Sequence, residues 1–501
     1  MDRLQTWPAW RWLLALSVVF VGLAAMPRSQ YIGDPLAIRA AAANWLNTGC
    51  WDVPASVAAS SGQRGQYYYQ NPRSGRYYSK YGPLNTIGYI PVLALERAWR
   101  GELPLYDPSS GRTLLLNLQN VLLSALLALV LLEISRLFCG RPWLGAVWVL
   151  ASLYASFGWN YLRAQTSELL QWLLASAFLW AVFQAWRTRG GRGWLIGGQT
   201  ALVLLVLTKG VYALWGLLWL LLLAALVRSS RTTESGEGGE PWTPRRWLEA
   251  AGPLFLGALA VLALNYWRFG DMLASGYTQW ERERHFFSGN VLEGLWGFLF
   301  SPAKSIFLYQ PLLLASLPCW PAFIKRWRLE GCLILLGFVS LWIFNSCTIN
   351  WGGHWSYGPR YLLAVLTPLS LPSLLAGEYL RSHCRSRGAR LLSAVLIGSL
   401  LFSLWMQLQV NSLEFFTYYR AEAVCEAYGT PQAAALLRRL PFGIVNYQLK
   451  RFAASDRLPY FVQEAARELP PDRSALLQLE LLRQVQGNWY WSDGGQPFAA
   501  D

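Results

Sequence analysis

The feature that most limits how this chain can fold is a succession of apolar runs of roughly 17 to 25 residues, the length an α-helix needs to cross the hydrocarbon layer of a bilayer. They lie near residues 12–27, 113–136, 142–160, 168–186, 194–208, 211–228, 247–266, 306–323, 329–347, 360–378 and 390–410, which makes about eleven crossings. Between them Lys and Arg gather in "SRLFCGR", "RTRGGR", "RSSRTTESGEGGEPWTPRR", "KRWR" and "RSHCRSRGAR". The positive-inside rule places these five connections in the cytoplasm and the alternate ones outside. Charged residues are only 14% of the 501, against about a quarter in a soluble domain. The fold class expected is an all-α polytopic membrane protein. A net charge of +15 spread in short clusters between apolar runs offers no contiguous patch for a phosphate backbone, so no nucleic-acid partner is expected.

Residues 1–410 then form a transmembrane domain, with a first outer loop over 28–112, and residues 411–501 form a more polar extracytoplasmic tail. Within the first loop, residues 82–101 are apolar but carry Pro83 and Pro91. A crossing there would put every later basic loop outside, so this segment is expected on the outer surface or as a re-entrant helix. The N-terminus fits either a cleaved signal peptide or an uncleaved first span. We favour the span, with Arg3 and Arg11 keeping the start in the cytoplasm. The seven cysteines show no CxxC or Cys/His metal spacing. Cys50 and Cys425 both fall outside the membrane, where a disulfide between them is one option. "TTESGEGGEP" reads as a Gly/Glu-rich linker.

Ionisable groups beside membrane spans cost free energy, so their placement is informative. Asp34, Arg39, Asp52, Arg163, Glu168, Lys209, Arg268, Asp271, Lys304, His354 and Arg360 all sit at or beyond the outer ends of the runs. Such a set suits displacement of a lipid-linked phosphate from a sugar by a hydroxyl. The attacking hydroxyl needs a carboxylate base, and the departing phosphate needs cations or a metal. Asp34 fits the first role; Glu168, Lys209, Arg268 and Arg360 suit the second, Glu168 through a bound cation or by orienting a basic side chain. Each has a structural alternative. Asp34 before Pro35 is also an ordinary helix cap, and the two roles can coexist. Glu168 suits a helix N-terminus, and Lys209 and Arg360 can reach the headgroups. His354 stands without a second histidine at ligand spacing, which argues against zinc. Tyr67, Tyr68, Tyr69, Tyr77, Tyr78 and Tyr81 read mainly as an interfacial belt, with sugar stacking as the alternative. The glycines of "NWGGHWSYGPRY" suggest backbone shaped to approach a ligand.

Taken in order, "YIGDPLAIRAAAANWLNTG", "YYSKYGPLNTIGYIPVLAL", "YLRAQTSELL", "LTKGVYAL", "FGDMLASGY", "FLFSPAKSIFLYQP" and "NWGGHWSYGPRYLLAVLTPL" resemble the GT-C superfamily of polytopic glycosyltransferases. The branch they are most similar to contains bacterial relatives of protein O-mannosyltransferases and the lipid A aminoarabinose transferases. The resemblance implies a GT-C-like module with outer-surface helices and a polyprenyl-phosphate sugar as donor. It puts Asp34 at the base position, Glu168 at a second acidic position and Lys209 near the lipid phosphate. Arg360 and His354 are carried over more loosely as donor-binding candidates, and Arg268 and Tyr81 join them from their own placement in the sequence. A divalent metal held by Asp34 and Glu168 is an open alternative, because the family holds both metal-dependent and metal-independent members. The chain departs from the family in having Pro35 where many relatives have a second acid, in keeping only Pro83 in "YGPL", and in lacking a WWDYG-like signature.

The function expected is an inverting glycosyltransferase of the bacterial cytoplasmic membrane, multi-pass, with its N-terminus in the cytoplasm and its site and C-terminus outside. It would move a single sugar to a lipid, glycan or protein acceptor. A lipid-linked sugar flippase and a non-catalytic scaffold are the alternatives; no internal repeat supports the first, and fold does not exclude the second.

Overall fold

The computed structural model describes residues 7–27, 34–60, 67–105, 114–232, 242–278, 281–282, 285–301, 304–353, 356–383 and 385–412. They are almost all helical. Helix α1 (Trp7–Ala24) is followed by α2 (Asp34–Thr48), the short α3 (Ala55–Ser60), a small hairpin of β1 (Tyr68–Gln70) and β2 (Tyr77–Ser79), and α4 (Pro83–Arg100). Then come α5 (Leu114–Phe138), α6 (Pro142–Tyr154), α7 (Gly158–Arg163), α8 (Glu168–Arg187), α9 (Arg192–Thr208), α10 (Gly216–Thr232) and α11 (Pro244–Phe269). Among the described residues, 7 helices are long and apolar enough to cross a membrane: Leu114–Phe138, Glu168–Arg187, Gly210–Ser230, Pro244–Phe269, Arg328–Ser346, Arg360–Ser382 and Arg387–Leu408. Pro8–Ala24, Pro142–Tyr154, Arg192–Thr208 and Val291–Phe300 are shorter apolar helices. The chain is a multi-pass membrane protein.

Helix α8 is the hub, packing on α5, on α9 and on the Leu363–Leu369 helix. Its inward face carries Trp172, Phe178 and Phe183, all fully buried, with Trp215 and Trp219 against Phe178. Large rings fill volume between helices where lipid supplies no hydrophobic drive for association and dispersion must hold the bundle together. At one end Arg187 pairs with Glu330 at 3.4 Å. Glu168 marks the other end of the same helix, 20 residues or about 30 Å away.

The segment from α2 to α4 forms a layer over that second end. In α2 the run Ala40–Ala43 is at most 2% exposed, and its small side chains let the helix lie close against α4. Buried Arg39 pairs with Glu96 of α4 at 3.4 Å, which fixes the register of the two. Helix α4 is the continuous form of residues 82–101: Pro83 starts it, Pro91 lies inside it, and Gly101 at φ 84 ends it. It leaves Leu95 and Trp99 exposed while burying Asn85, Thr86, Leu93 and Glu96, the sidedness of a helix lying between protein and an apolar surface.

Two expectations change. The run at 306–323 is not one helix but the pieces Ile306–Tyr309, Leu312–Ser316, Leu317–Cys319 and Trp320–Arg326. Pro311, Pro318 and Pro321 each remove a backbone donor within it. The tyrosines of the hairpin are not a belt: Tyr68, Tyr69, Tyr78 and Tyr81 are 3–5% exposed. Tyr69 packs edge-on to Phe269 at 5.0 Å and Tyr78 to Trp267 at 5.7 Å, so these rings bind the hairpin to the end of α11. Cys50 is free and exposed; Cys425 and the expected tail beyond residue 412 lie outside the described residues.

Candidate active site

Three stretches of backbone meet above the α8–α9 pair, and two glycines permit the meeting. A Cβ at Gly82 would lie 2.1 Å from the Leu207 carbonyl oxygen and 2.4 Å from that of Thr208. A Cβ at Gly276 would lie 2.1 Å from the Lys80 oxygen. The Asn85 amide donates to the Thr208 carbonyl at 3.0 Å and ties the start of α4 to the end of α9. Arg268, buried at the end of α11, donates from Nη2 to the carbonyls of Ser79 and, at 2.8 Å, Tyr81. These contacts hold the Lys80–Gly82 loop over the C-terminal end of α9.

Between these segments lies a cleft of about 760 Å³, including its open mouth. Asp34, Tyr81, Glu168, Lys209, Arg268 and Arg360 all line it. They arrive from six separate places in the chain, at the N-termini of α2 and α8, the C-termini of α9 and α11, the loop before α4 and the 3-10 turn Arg360–Leu362. His354 lies outside the described residues.

Arg360 is central. Its Nη1 stands 3.6 Å from Asp34 Oδ2 and 3.9 Å from Glu168 Oε1, so one guanidinium bridges the two carboxylates. The Tyr81 hydroxyl donates to Asp34 Oδ1. Lys209 Nζ lies 4.2 Å above the Tyr361 ring, half-buried at the cleft wall. Lys80, which reading by composition and spacing did not single out, is buried with Nζ 5.1 Å from the Tyr81 ring, 5.3 Å from Tyr67 and 5.4 Å from Tyr277. Its signal in the sequence was a lone cation amid tyrosines in "YYSKYG". Tyr277 and Tyr361 end the motifs "FGDMLASGY" and "NWGGHWSYGPRY".

The charges set the protonation states. Burial would raise the Asp34 pKa, but Arg360, Lys80, the Tyr81 hydrogen bond and Lys209 outweigh it and hold the carboxyl below its ordinary value. Asp34 is therefore an ionised carboxylate at neutral pH. Burial, offset by Glu168 but reinforced by Arg360, pushes Lys209 down to about 8. Tyr81 is held well above its usual range by burial and by Asp34, so it stays a donor.

The remaining ionisable candidates serve elsewhere. Arg39 pairs with Glu96, Arg163 donates to the Ala25 carbonyl and to Asn411, Asp52 pairs with Arg76 at 3.6 Å, and Asp271 caps the Leu273 amide at 2.9 Å. Lys304 is buried under the loop before Arg360. A divalent ion does not fit well. Hard cations seek six or more oxygens, whereas Asp34 and Glu168 already share a guanidinium, and no group of three His, Cys, Asp or Glu side chains placed to hold a metal occurs among the described residues.

This architecture is the GT-C fold, the fold of a class of membrane glycosyltransferases. The chain is similar to ArnT from Cupriavidus metallidurans in the apo state, with a TM-score of 0.51 and 17% identity over 95% of this chain and 77% of ArnT. ArnT bound to undecaprenyl phosphate aligns with a TM-score of 0.48 at 17% identity, again over 95% of this chain and 77% of that one. Archaeal oligosaccharyltransferase AglB from Archaeoglobus fulgidus, in complex with an inhibitory peptide and a dolichol-phosphate, aligns at 0.47 and 11% identity over 85% of this chain and 59% of AglB. No protein-family model and no curated protein sequence matches the chain.

Proposed function

We propose that this protein is an inverting glycosyltransferase that moves a single sugar from a polyprenyl-phosphate donor to an acceptor hydroxyl at the outer face of the cytoplasmic membrane. The observation that carries this reading is the cleft itself, in which an ionised carboxylate stands beside three cations, Arg360, Lys209 and Lys80. The carboxylate is the base: Asp34 takes the acceptor proton as the hydroxyl oxygen attacks the anomeric carbon. The bond from that carbon to the phosphate oxygen breaks, its electron pair stays on the phosphate, and attack from the opposite side inverts the configuration. The lipid phosphate gains a negative charge in this step. Cations fixed in place beforehand stabilise that charge without reorganisation, which is where such sites obtain most of their acceleration.

The helix directions support an outward-facing site. Glu168 begins α8 and Lys209 follows α9, so the cleft lies opposite the basic connection at 187–192. With basic loops in the cytoplasm, the site faces out. The exposed Leu95 and Trp99 of α4 then meet the headgroup region. Purified protein in nanodiscs, screened against polyprenyl-phosphate sugars for release of polyprenyl phosphate, tests the proposal. Release with an inverted product supports it; a protein that moves lipid-linked sugar across the bilayer without cleaving it is a flippase instead.

A further inference from the structure

We propose that Lys304 is a positioning residue for this reaction, setting through the Ser356–Gly358 backbone where the Arg360 guanidinium stands between Asp34 and Glu168. Lys304 belongs to "FLFSPAKSIFLYQP", a motif for which the mechanism above has no use. It is 8% exposed, and its ammonium donates to the Ser356 carbonyl, to Ser356 Oγ at 3.1 Å and to the Gly358 carbonyl at 3.3 Å. A lysine has three N–H donors, and here each has an acceptor on the same short loop. The carbonyl between them is held too, since the Tyr161 hydroxyl donates to Tyr357 O at 2.7 Å. Three successive carbonyls, separated from Arg360 only by Pro359, are thus fastened to the bundle.

Arg360 needs such fastening because its own side-chain contacts are loose. Strong guanidinium–carboxylate bonds are about 2.7–2.9 Å long, whereas Arg360 lies 3.6 Å from Asp34 and 3.9 Å from Glu168. Its Nε is buried without a hydrogen-bond partner among the described residues. The loop backbone also closes on it: a Cβ at Gly353, where φ is +74, would lie 3.2 Å from Arg360 Nε. The guanidinium is therefore placed by the backbone that carries it, and Lys304 holds that backbone. A buried ammonium is costly without acceptors, and these carbonyls are what keep it in place.

The kinetic consequence rests on the glycosyl-transfer reading; the geometric one does not, and the test separates them. The Arg360 position is compared by cryo-EM of nanodisc-embedded wild type and Lys304→Met, with Lys304→Gln as a milder variant should the first fail to fold. The guanidinium is expected to move by about 1 Å or more from its place between Asp34 and Glu168, a displacement large enough to matter for chemistry. An unmoved Arg360 in a folded variant overturns the proposal whatever the protein's activity. Donor turnover is then measured in a double-mutant cycle with Arg360→Gln. Lys304→Met is expected to lose about 10-fold or more in the wild-type background and less than about 2-fold once Arg360 is gone, because a group acting through another has nothing left to position. Equal losses in both backgrounds overturn it, since a general loss of packing would act regardless of Arg360. Absence of turnover by the wild type refutes the glycosyltransferase reading and leaves the cryo-EM comparison to decide this one.

Discussion

Gly82→Ala should disable the site while leaving the bundle assembled. The added Cβ would lie 2.1 Å from Leu207 O and 2.4 Å from Thr208 O. Carbon–oxygen contacts settle at about 3.3 Å or more, so the loop and the α9 terminus must separate by roughly 1 Å. Neither side yields easily, because both obstructing atoms are backbone carbonyls, and Thr208 O also accepts from Asn85. Overpacking of this kind costs about 1–3 kcal/mol, and the same movement carries Tyr81 and Lys80 away from Asp34 and Lys209. A 1 Å misplacement of catalytic groups costs about 100-fold in rate. The assay is release of polyprenyl phosphate from the donor, with thermal unfolding measured on the same preparation. Gly88→Ala is the control: it lies in α4, the helix that the Gly82 loop leads into, and its Cβ would meet only Leu170 Cδ2 at 3.9 Å. Folded Gly82→Ala with wild-type turnover would refute the idea that this close approach builds the cleft.

Three further outcomes are expected. Lys209 titrates at about 8 and is positive below that value, so turnover should fall as pH rises through about 8; Lys209→Arg should flatten this limb in a pH–rate profile, because arginine keeps its charge. Chelation with EDTA should leave initial rates within about 2-fold, since a guanidinium already stands between the two carboxylates. Arg268→Lys should lose about 10-fold or more in donor turnover: lysine keeps the charge but its shorter side chain ends before the position of Nη2, which alone donates to both the Ser79 and the Tyr81 carbonyl. A phosphate ligand at that position would tolerate the exchange better.

Much of the bundle was legible because length and hydropathy act locally. The runs at 113–136, 168–186 and 329–347 match Leu114–Phe138, Glu168–Arg187 and Arg328–Ser346 closely, since each span must satisfy its own backbone in an apolar medium. The 306–323 run misled because hydropathy does not register the backbone donors lost to Pro311, Pro318 and Pro321. The Val291–Phe300 helix falls between the long apolar runs, where hydropathy alone reads a connection, although Asn290 caps it through the Leu292 and Glu293 amides in a pattern visible as "NVLE". Composition, spacing and the family resemblance together named Asp34, Glu168, Lys209, Arg268, Arg360 and Tyr81 but could not say that they share a cleft, which depends on contacts between residues as far apart as Lys80 and Gly276. Nor could they separate Arg268, engaged on backbone carbonyls, from Arg360, which faces the carboxylates. Both are arginines at the end of a span, and only the folded chain distinguishes a clamp from a charge that faces the cleft.

The most direct test of the central claim compares wild type with Asp34→Asn, in nanodiscs, across a panel of polyprenyl-phosphate sugars. Asparagine keeps the shape and the helix cap but cannot accept the proton. The account predicts that wild type releases polyprenyl phosphate from at least one donor and that Asp34→Asn loses about 100-fold or more. Equal turnover by the two proteins would contradict it and return Asp34 to the role of a helix cap.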